Sequence, residues 1–545
     1  MKNRIGSIIC LICAALLLLS SCAVPGYTVR GTSEAAMTAE ASPDSSAAAA
    51  APSEDGTSAA EGTASEEQTS STAQTTSLPE TTKAPETTEK PAETTEKPFD
   101  PQNPVFREAD YHGAPFTVLA REASTYSQVA IVADDLYGDV YALQTLARNS
   151  ALESAYGVSL RLLTEESPKK ILEKDLLAGA VTYDLVLESR VDLSQSMQKG
   201  ELSDWNSLGI PMEAPWWDAN CVKGYDVNGK LYLAVNDVSI NNLSCTRFVY
   251  FNPALIAKYQ LENPYDLVDR GQWTLDRFIA LGKAAAHPSK DETAIGEYGI
   301  LQEVGSQNGT HMQLFTGCDV SYVKWVDGKL CSALDTKTVN KLQTVTDKLK
   351  DFLTASFSLT YNDVDKVSDT SPNLNKFDKG RNSFAEGHFL FLQNTLNVAE
   401  QFQNMPQGVG IVPNPLYDSA QKNYCHMVDK YALIWAIPNA VSVDKERVGT
   451  VSDYWAYLSA ATVMEFFLER NLSNPAIDRD AARKNLHIIK NSIVYNLGDL
   501  LDLGIPNMVD SGFVNRNISL AVSRESRSVE KKLETVNQAL KQLSD

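Results

Sequence analysis

Histidine is scarce in this 545-residue chain, and its six occurrences, His112, His287, His311, His388, His426 and His487, are scattered without the cysteine or histidine spacing of a zinc site. The sequence also lacks H-E-x-x-H, G-x-S-x-G and G-x-x-x-x-G-K-[ST]. The metalloprotease, serine-hydrolase and P-loop classes lose their signatures with them. No cofactor or metal is expected, and no catalytic constellation stands out. The chain is therefore not expected to be an enzyme, and a glycosidase, whose two carboxylates are defined by separation in space and could hide among the many Asp and Glu residues, is kept as the least favoured reading. Basic tracts are missing as well. The chain carries 48 Lys and Arg against 69 Asp and Glu, a net charge of −21. That balance disfavours nucleic acid and anionic lipid surfaces as partners. Of the eight cysteines, Cys221, Cys245, Cys318, Cys331 and Cys425 fall beyond residue 100, an odd number without a C-x-x-C pair among them. A disulfide framework is not indicated. They read mostly as small buried apolar residues, with one bridge, Cys221 to Cys245 or Cys318 to Cys331, left open.

Long apolar runs are absent too, except from Ile8 to Leu19 behind Lys2 and Arg4. About a dozen residues fall short of the roughly 20 a membrane span requires, so residues 1–22 read as an export leader. Its end, Leu19, Ser20, Ser21 and Cys22, resembles a bacterial lipobox. That resemblance implies cleavage before Cys22, a diacylglyceryl anchor on its thiol and room for a further acyl chain, such as palmitate, on the freed amine. Two or three acyl chains, at about 0.8 kcal/mol per buried methylene, hold a protein at the outer face of the cell membrane. Residues 23–100 are Ser, Thr, Ala, Glu and Pro with few branched or aromatic residues, and ETTEKPAETTEKP repeats itself near the end. Such composition cannot offset its ordering entropy. The segment is expected to be a disordered tether with an end-to-end distance of roughly 45 Å. The leader holds two basic residues and the tether four basic and fourteen acidic ones, which leaves −13 for residues 101–545.

The remaining 445 residues exceed one ordinary core, so two domains are expected. FTVLA at 116–120 reads as a strand, VAIVA at 129–133 as a second candidate, and Asp134 and Asp135 as the start of a helix with Val140, Leu143, Leu146, Leu152 and Ala155 at helical spacing. VSLRLLT, KKILEKDLLAG and YDLVLE continue as strand, helix and strand. The βαβαβ order predicts a parallel sheet with helices on its faces, and ligands on such sheets meet the loops beyond strand C-termini. LYLAV and RFVYFN read as strands, WTLDRFIALGKAAAH as a helix capped by Thr274, and KTVNKLQTVTDKLKDFL as a helix with Val339, Leu342, Val345, Leu349 and Phe352 on one face. HFLFLQ and VGIVP are further strands, and the last third is largely helical.

The series of motifs resembles the extracellular solute-binding protein family 1, the carbohydrate-binding lipoproteins of ABC transporters. It is carried by NGKLYLAVNDVSINNLSCTRFVYFNPALI at 228–256, PYDLVDRGQWTLDRF at 264–278, FAEGHFLFLQNTLNVAEQF with VGIVPNP, KYALIWAIPNAVSVDKERVG, and IIKNSIVYNLGDL. The match spans most of residues 115–540. It implies an α/β fold of two lobes, the type II periplasmic-binding-protein arrangement, each lobe a mixed sheet flanked by helices, with a helical C-terminal part. Residues 101–245 with 394–431 would form one lobe and 246–393 with 432–545 the other, with connections near 246, 393 and 432. A solute held in the cleft would favour a closed form that the permease transmembrane subunits of an importer recognise. The expected partners are thus a small-molecule solute, in the first place a carbohydrate, the permease, and the membrane through Cys22, with the protein a monomer. A sensory or adhesive surface role, and peptides or other polar solutes as ligands, remain open.

Sugar sites combine flat aromatic rings with planar or charged hydrogen-bonding groups. PWWDAN offers Trp216 and Trp217; in an extended chain adjacent side chains alternate, so one is expected to be exposed or in the cleft, with packing as the other reading. Trp435 and Trp325 are further candidates. For polar contacts, loops after strands offer Glu122, Ser189, Arg190, Asp237, Asn241, Gln393 and Asn394. Each reads equally as a solvated loop residue.

Overall fold

The computed structural model describes residues 100–122, 131–132, 140–291, 294–305, 308–367, 373–465, 469 and 476–544. The expected leader, the lipid site Cys22, the tether up to residue 99, Asp134 and Asp135 lie outside them. Only Ile131 and Val132 of the 129–133 segment are described, and they form a turn and bend.

Two mixed sheets organise the chain. The first holds β1 (Ala114–Arg121), β2 (Val158–Glu165) and β3 (Leu185–Ser189) in the order 2-1-3, all parallel, as the βαβαβ pattern predicts. Helices Val140–Tyr156 and Pro168–Ala178 make the crossovers. The second holds β4 (Arg247–Phe251), β5 (Tyr298–Gln302), β8 (Ser358–Thr360), β9 (Phe389–Thr395) and β10 (Gly410–Val412) in the order 10-4-9-5-8. A separate hairpin pairs β6 (Val323–Val326) with β7 (Lys329–Ser332). β11 (Leu433–Ala436) returns to the first sheet, antiparallel to β3. Helices flank both sheets and helices dominate from residue 445 on, the two-lobe α/β architecture expected.

Strand pairing divides the lobes differently from the expected boundaries. β9 runs through residue 393 in register with β4, so the chain does not change sheets there. β10 therefore stays with β4, and β11 belongs with β3. The sheet-to-sheet connections lie together instead. Thr246 bridges Val428 antiparallel, and His426 bridges Ile493 parallel. LYLAV is not a strand; it contributes only the single bridge of Ala234 to Trp435, because its neighbours turn away to pair elsewhere.

Helix Val140–Tyr156 buries a different face from the one its leucines mark. Leu143 and Leu146 are exposed, while Gln144, Thr145, Arg148, Asn149 and Leu152 are buried. Arg148 Nη2 and Asn149 Nδ2 both donate to the Ile131 carbonyl, and the Arg148 guanidinium lies 5.4 Å from the Trp455 ring centre. These partners make a polar face tolerable in the core. On the second sheet, Phe391 of β9 stacks on Phe278 at 4.6 Å, and Phe278 meets Phe352 at 5.8 Å, fastening helices Leu275–Ala285 and Thr336–Phe352 to it.

Trp216 and Trp217 are both buried, contrary to the expectation that one would be exposed or in a cleft. Trp216 ends a turn and Trp217 makes a single bridge to Asn236, so the chain is not a continuous strand across the pair and strict alternation does not apply; both indole N–H groups donate to Asp453 Oδ1, at 2.7 and 2.9 Å. Burial raises the Asp453 carboxyl, and the two indole bonds hold it back. Asp453→Ala strips two buried donors of one acceptor. Guanidinium unfolding should show a loss of about 3 kcal/mol at unchanged m value. A loss below about 0.5 kcal/mol would contradict this account of the tryptophan pair.

Neither bridge considered for the cysteines forms; all five are free, and only Cys331 is not fully buried. Burial pushes Cys245, Cys318 and Cys425 up to about 12. Among the described residues, no group of three or more His, Cys, Asp or Glu could hold a metal ion, and no helix is long and apolar enough to cross a membrane.

Candidate functional site

A cleft of ≈ 1800 Å³ opens where segments from both sheets meet. From the first-sheet side comes helix Ala219–Gly224, held through Asp218 N–H to the Val235 carbonyl and the Ala234 to Trp435 bridge. The second-sheet side supplies the β6–β7 hairpin and the polar face of helix Thr336–Phe352. Two sheet-connecting segments, residues 417–425 and 491–497, complete the wall.

Asp327 and Gly328 turn the hairpin with positive φ angles of 49° and 72°, the left-handed pair a two-residue turn requires. Asn537 then takes the place of a neighbouring strand, accepting from Leu330 N–H at 2.8 Å and donating to its carbonyl at 2.9 Å. Trp325, half-buried on β6, is thereby fixed at the cleft wall. Tyr417 lines the same cleft, with Lys341 Nζ 4.9 Å from its ring centre. Gln421 braces the 417–425 loop by accepting from Tyr417 N–H and donating to the Gly317 and Asn423 carbonyls. Tyr424 carries a buried hydroxyl without a hydrogen-bond partner, and burial pushes it up to about 12. Tyr495 donates to Asp218 at 3.0 Å. Amides of Asn220, Asn340, Asn423 and Asn491 also line the space.

The connections beside the cleft are unusually polar for buried chain. Arg247, at the start of β4, reaches Glu303 at 2.8 Å and Asp429 at 3.1 Å and is 2% exposed. Burial pulls its pKa down, but the two carboxylates outweigh that and hold it above its ordinary value. His426 Nε2 accepts from Asn414 N–H at 3.0 Å and its Nδ1 lies 2.9 Å from Ser492 Oγ, joining two of the connections.

Of the residues expected to line a site, Trp325 lies in this cleft. The others are placed elsewhere and are not brought together. Trp435 is buried on β11, 6.1 Å from Trp455, with no acceptor for its Nε1. Glu122 is exposed just past β1, its N–H on the Glu165 carbonyl. Ser189 caps helix Arg190–Gln198 by accepting from Asp192 N–H, and Arg190 is buried with Nη1 on the Tyr225 hydroxyl at 3.2 Å. Asp237 pairs with Lys490 at 3.1 Å. Asn241 accepts from Leu433 N–H, Gln393 donates to Asn414, and Asn394 donates to Tyr361. A second, smaller space of ≈ 60 Å³ lies beyond the C-terminal ends of β5 and β8, lined by Glu303 and Tyr361 among others.

The cleft residues that sequence reasoning passed over had two readable signals. The Asp-Gly pair between VKWV and KLCS marks a tight hairpin. In helix Thr336–Phe352, Lys337, Asn340, Lys341 and Thr344 repeat at helical spacing opposite the apolar face. Residues 417–425 and 491–497 are irregular and carry no period to read.

No protein-family model matches this chain, and no curated protein is similar to it in sequence. Among solved structures it is similar to the sugar-binding protein MalE from the phytopathogen Xanthomonas citri, with 11% identity, a TM-score of 0.49, and 79% of this chain and 98% of that one covered. It is also similar to an ABC substrate-binding protein from Listeria monocytogenes in complex with cycloalternan, at 12% identity and a TM-score of 0.45, over 78% and 99% of the two chains. An extracellular solute-binding protein family 1 member from Alicyclobacillus acidocaldarius stands at 10%, 0.46, 78% and 98% by the same measures. At this distance the functional reading rests on the cleft itself.

Proposed function

We propose that this chain is the solute-capturing component of an ABC importer, which holds a carbohydrate between its two lobes, is anchored by lipid at Cys22 on the outer face of the membrane, and delivers to the permease. The observation that carries the reading is the cleft: ≈ 1800 Å³ between parts tied to opposite sheets, walled by two sheet-connecting segments and furnished with Trp325, Tyr417 and several amides. Its size exceeds the roughly 300–1,000 Å³ of ordinary small-molecule pockets and suits an oligosaccharide. Rings take the C–H faces of sugars, and amides can donate and accept at once to hydroxyl groups. Contacts to both lobes exist together only when the lobes are closed, so ligand binding shifts the balance toward that state.

Thermal-shift screening of the full chain against glycans and peptides tests this. A glycan at 100 times its dissociation constant should add about 2.7 kcal/mol of apparent stability. Trp325→Ala should weaken that glycan about 10-fold by removing the stacking face. Stabilisation by peptides and by no glycan, or indifference to Trp325→Ala, would count against it. Product release from labelled oligosaccharide would favour a glycosidase instead.

A further inference from the structure

The charge of the cleft runs against that of the molecule. Six lysines line it, Lys223, Lys324, Lys337, Lys341, Lys422 and Lys484, against two carboxylates, Asp319 and Asp418. The chain as a whole carries −21. Lys324 pairs with Asp335 at 3.5 Å and Lys484 with Asp269 at 2.6 Å. Lys223, Lys337 and Lys422 are exposed, and neither they nor Lys341 have a carboxylate within 4.0 Å among the described residues. Asp418 accepts from Ala420 and Gln421 N–H at 2.9 and 3.2 Å, and Asp319 accepts from the Cys425 thiol at 3.8 Å.

We infer that the cleft selects an anionic saccharide, one bearing carboxylate or sulfate groups on its rings. This rests on the carbohydrate reading above and names its substrate class. A neutral sugar offers no charge for an ammonium group to meet, so the three exposed lysines without a carboxylate partner among the described residues, Lys223, Lys337 and Lys422, favour an anionic ligand over a neutral one. Lys337 and Lys341 stand one turn apart on one helix face, Lys422 comes from the facing loop and Lys223 from the first-sheet side. The lysines thus reach the cleft from the helix, the loop and the first-sheet side, as a ligand carrying several charges along its length would require. Long-range repulsion from the acidic surface is screened beyond about 8 Å at physiological salt, whereas a concave wall focuses its own local field.

The test measures binding of tetragalacturonate, a sulfated maltotetraose and maltotetraose to the full chain by calorimetry at low and high salt. At low salt one of the acidic probes should bind at least about 10-fold more tightly than neutral maltotetraose, and the advantage should shrink at 0.5 M salt. Which acidic probe wins tells carboxylate from sulfate ester. Lys337→Gln with Lys422→Gln should lose most of the advantage while circular dichroism stays unchanged. Equal or tighter binding of maltotetraose would overturn the inference and leave the carbohydrate reading standing. Binding of no saccharide, neutral or acidic, would overturn both.

Discussion

Replacing Arg247 by alanine should cost the protein about 3–5 kcal/mol, because it leaves Asp429 without its cation in a place water scarcely reaches and takes the partner from the half-buried Glu303. Arg247 is 2% exposed and Asp429 1%. Its two bonds do different jobs. Nη1 holds Glu303, just past the end of β5, and Nη2 holds Asp429, just past the Thr246 to Val428 bridge. One guanidinium thus fixes a connection between the sheets to the C-terminal end of β5. Denaturant unfolding of Arg247→Ala measures the cost, and a loss under about 1 kcal/mol would show the pair to be dispensable. The double variant Arg247→Met with Asp429→Leu should recover much of it, because the penalty comes from the stranded charge more than from a lost attraction.

The second large effect is on pH. Asn414 N–H can only donate, so the Nε2 it faces must be the unprotonated nitrogen of His426, and the proton sits on Nδ1 toward Ser492 Oγ. Complete burial adds to this, and the imidazole is pushed down to about 3. A depressed histidine stabilises the fold fully above the unfolded value of about 6.5 and loses that contribution as pH falls toward the folded value, at up to about 1.4 kcal/mol per pH unit. Buried carboxylates act in the opposite direction. Asp499, raised to about 6 by burial against the pull of Arg190, and Asp237, raised by burial against Lys490, favour the folded state most at low pH. The histidine is therefore read by difference. From pH 6.5 to pH 4, stability of His426→Gln should fall less steeply than that of the parent, by about one proton's worth of slope. Parallel curves would place the imidazole's proton elsewhere.

Local regularity made the first sheet legible. VSLRLLT and YDLVLE have the length and composition of buried strands, and the helices between them are long enough to impose parallel order. What the sequence hid was non-local. β11 joins β3 from more than two hundred residues away, and nothing in LIWA names its partner. LYLAV has a strand's composition but lies where it can make a single bridge, so tertiary context overrides its propensity. Leu143 and Leu146 of helix Val140–Tyr156 marked the helix and not its buried face. A buried Arg148 with a carbonyl and a ring for partners outweighs the periodicity. At the candidate site, aromatic identity alone did not separate Trp325 from Trp216 and Trp217; the acceptor that buries the latter pair, Asp453, lies far along the chain.

The most direct test follows the distance between the lobes as sugar is added. Spin labels at Leu177→Cys, on the exposed side of helix Pro168–Ala178, and at Ala257→Cys, on the helix after β4, report on one sheet each. Saturating oligosaccharide should shift their distance distribution to a shorter, narrower population, as closure about the Thr246, Val428 and Ile493 connections requires. An unchanged distribution with sugar demonstrably bound would contradict capture by closure of two hinged lobes.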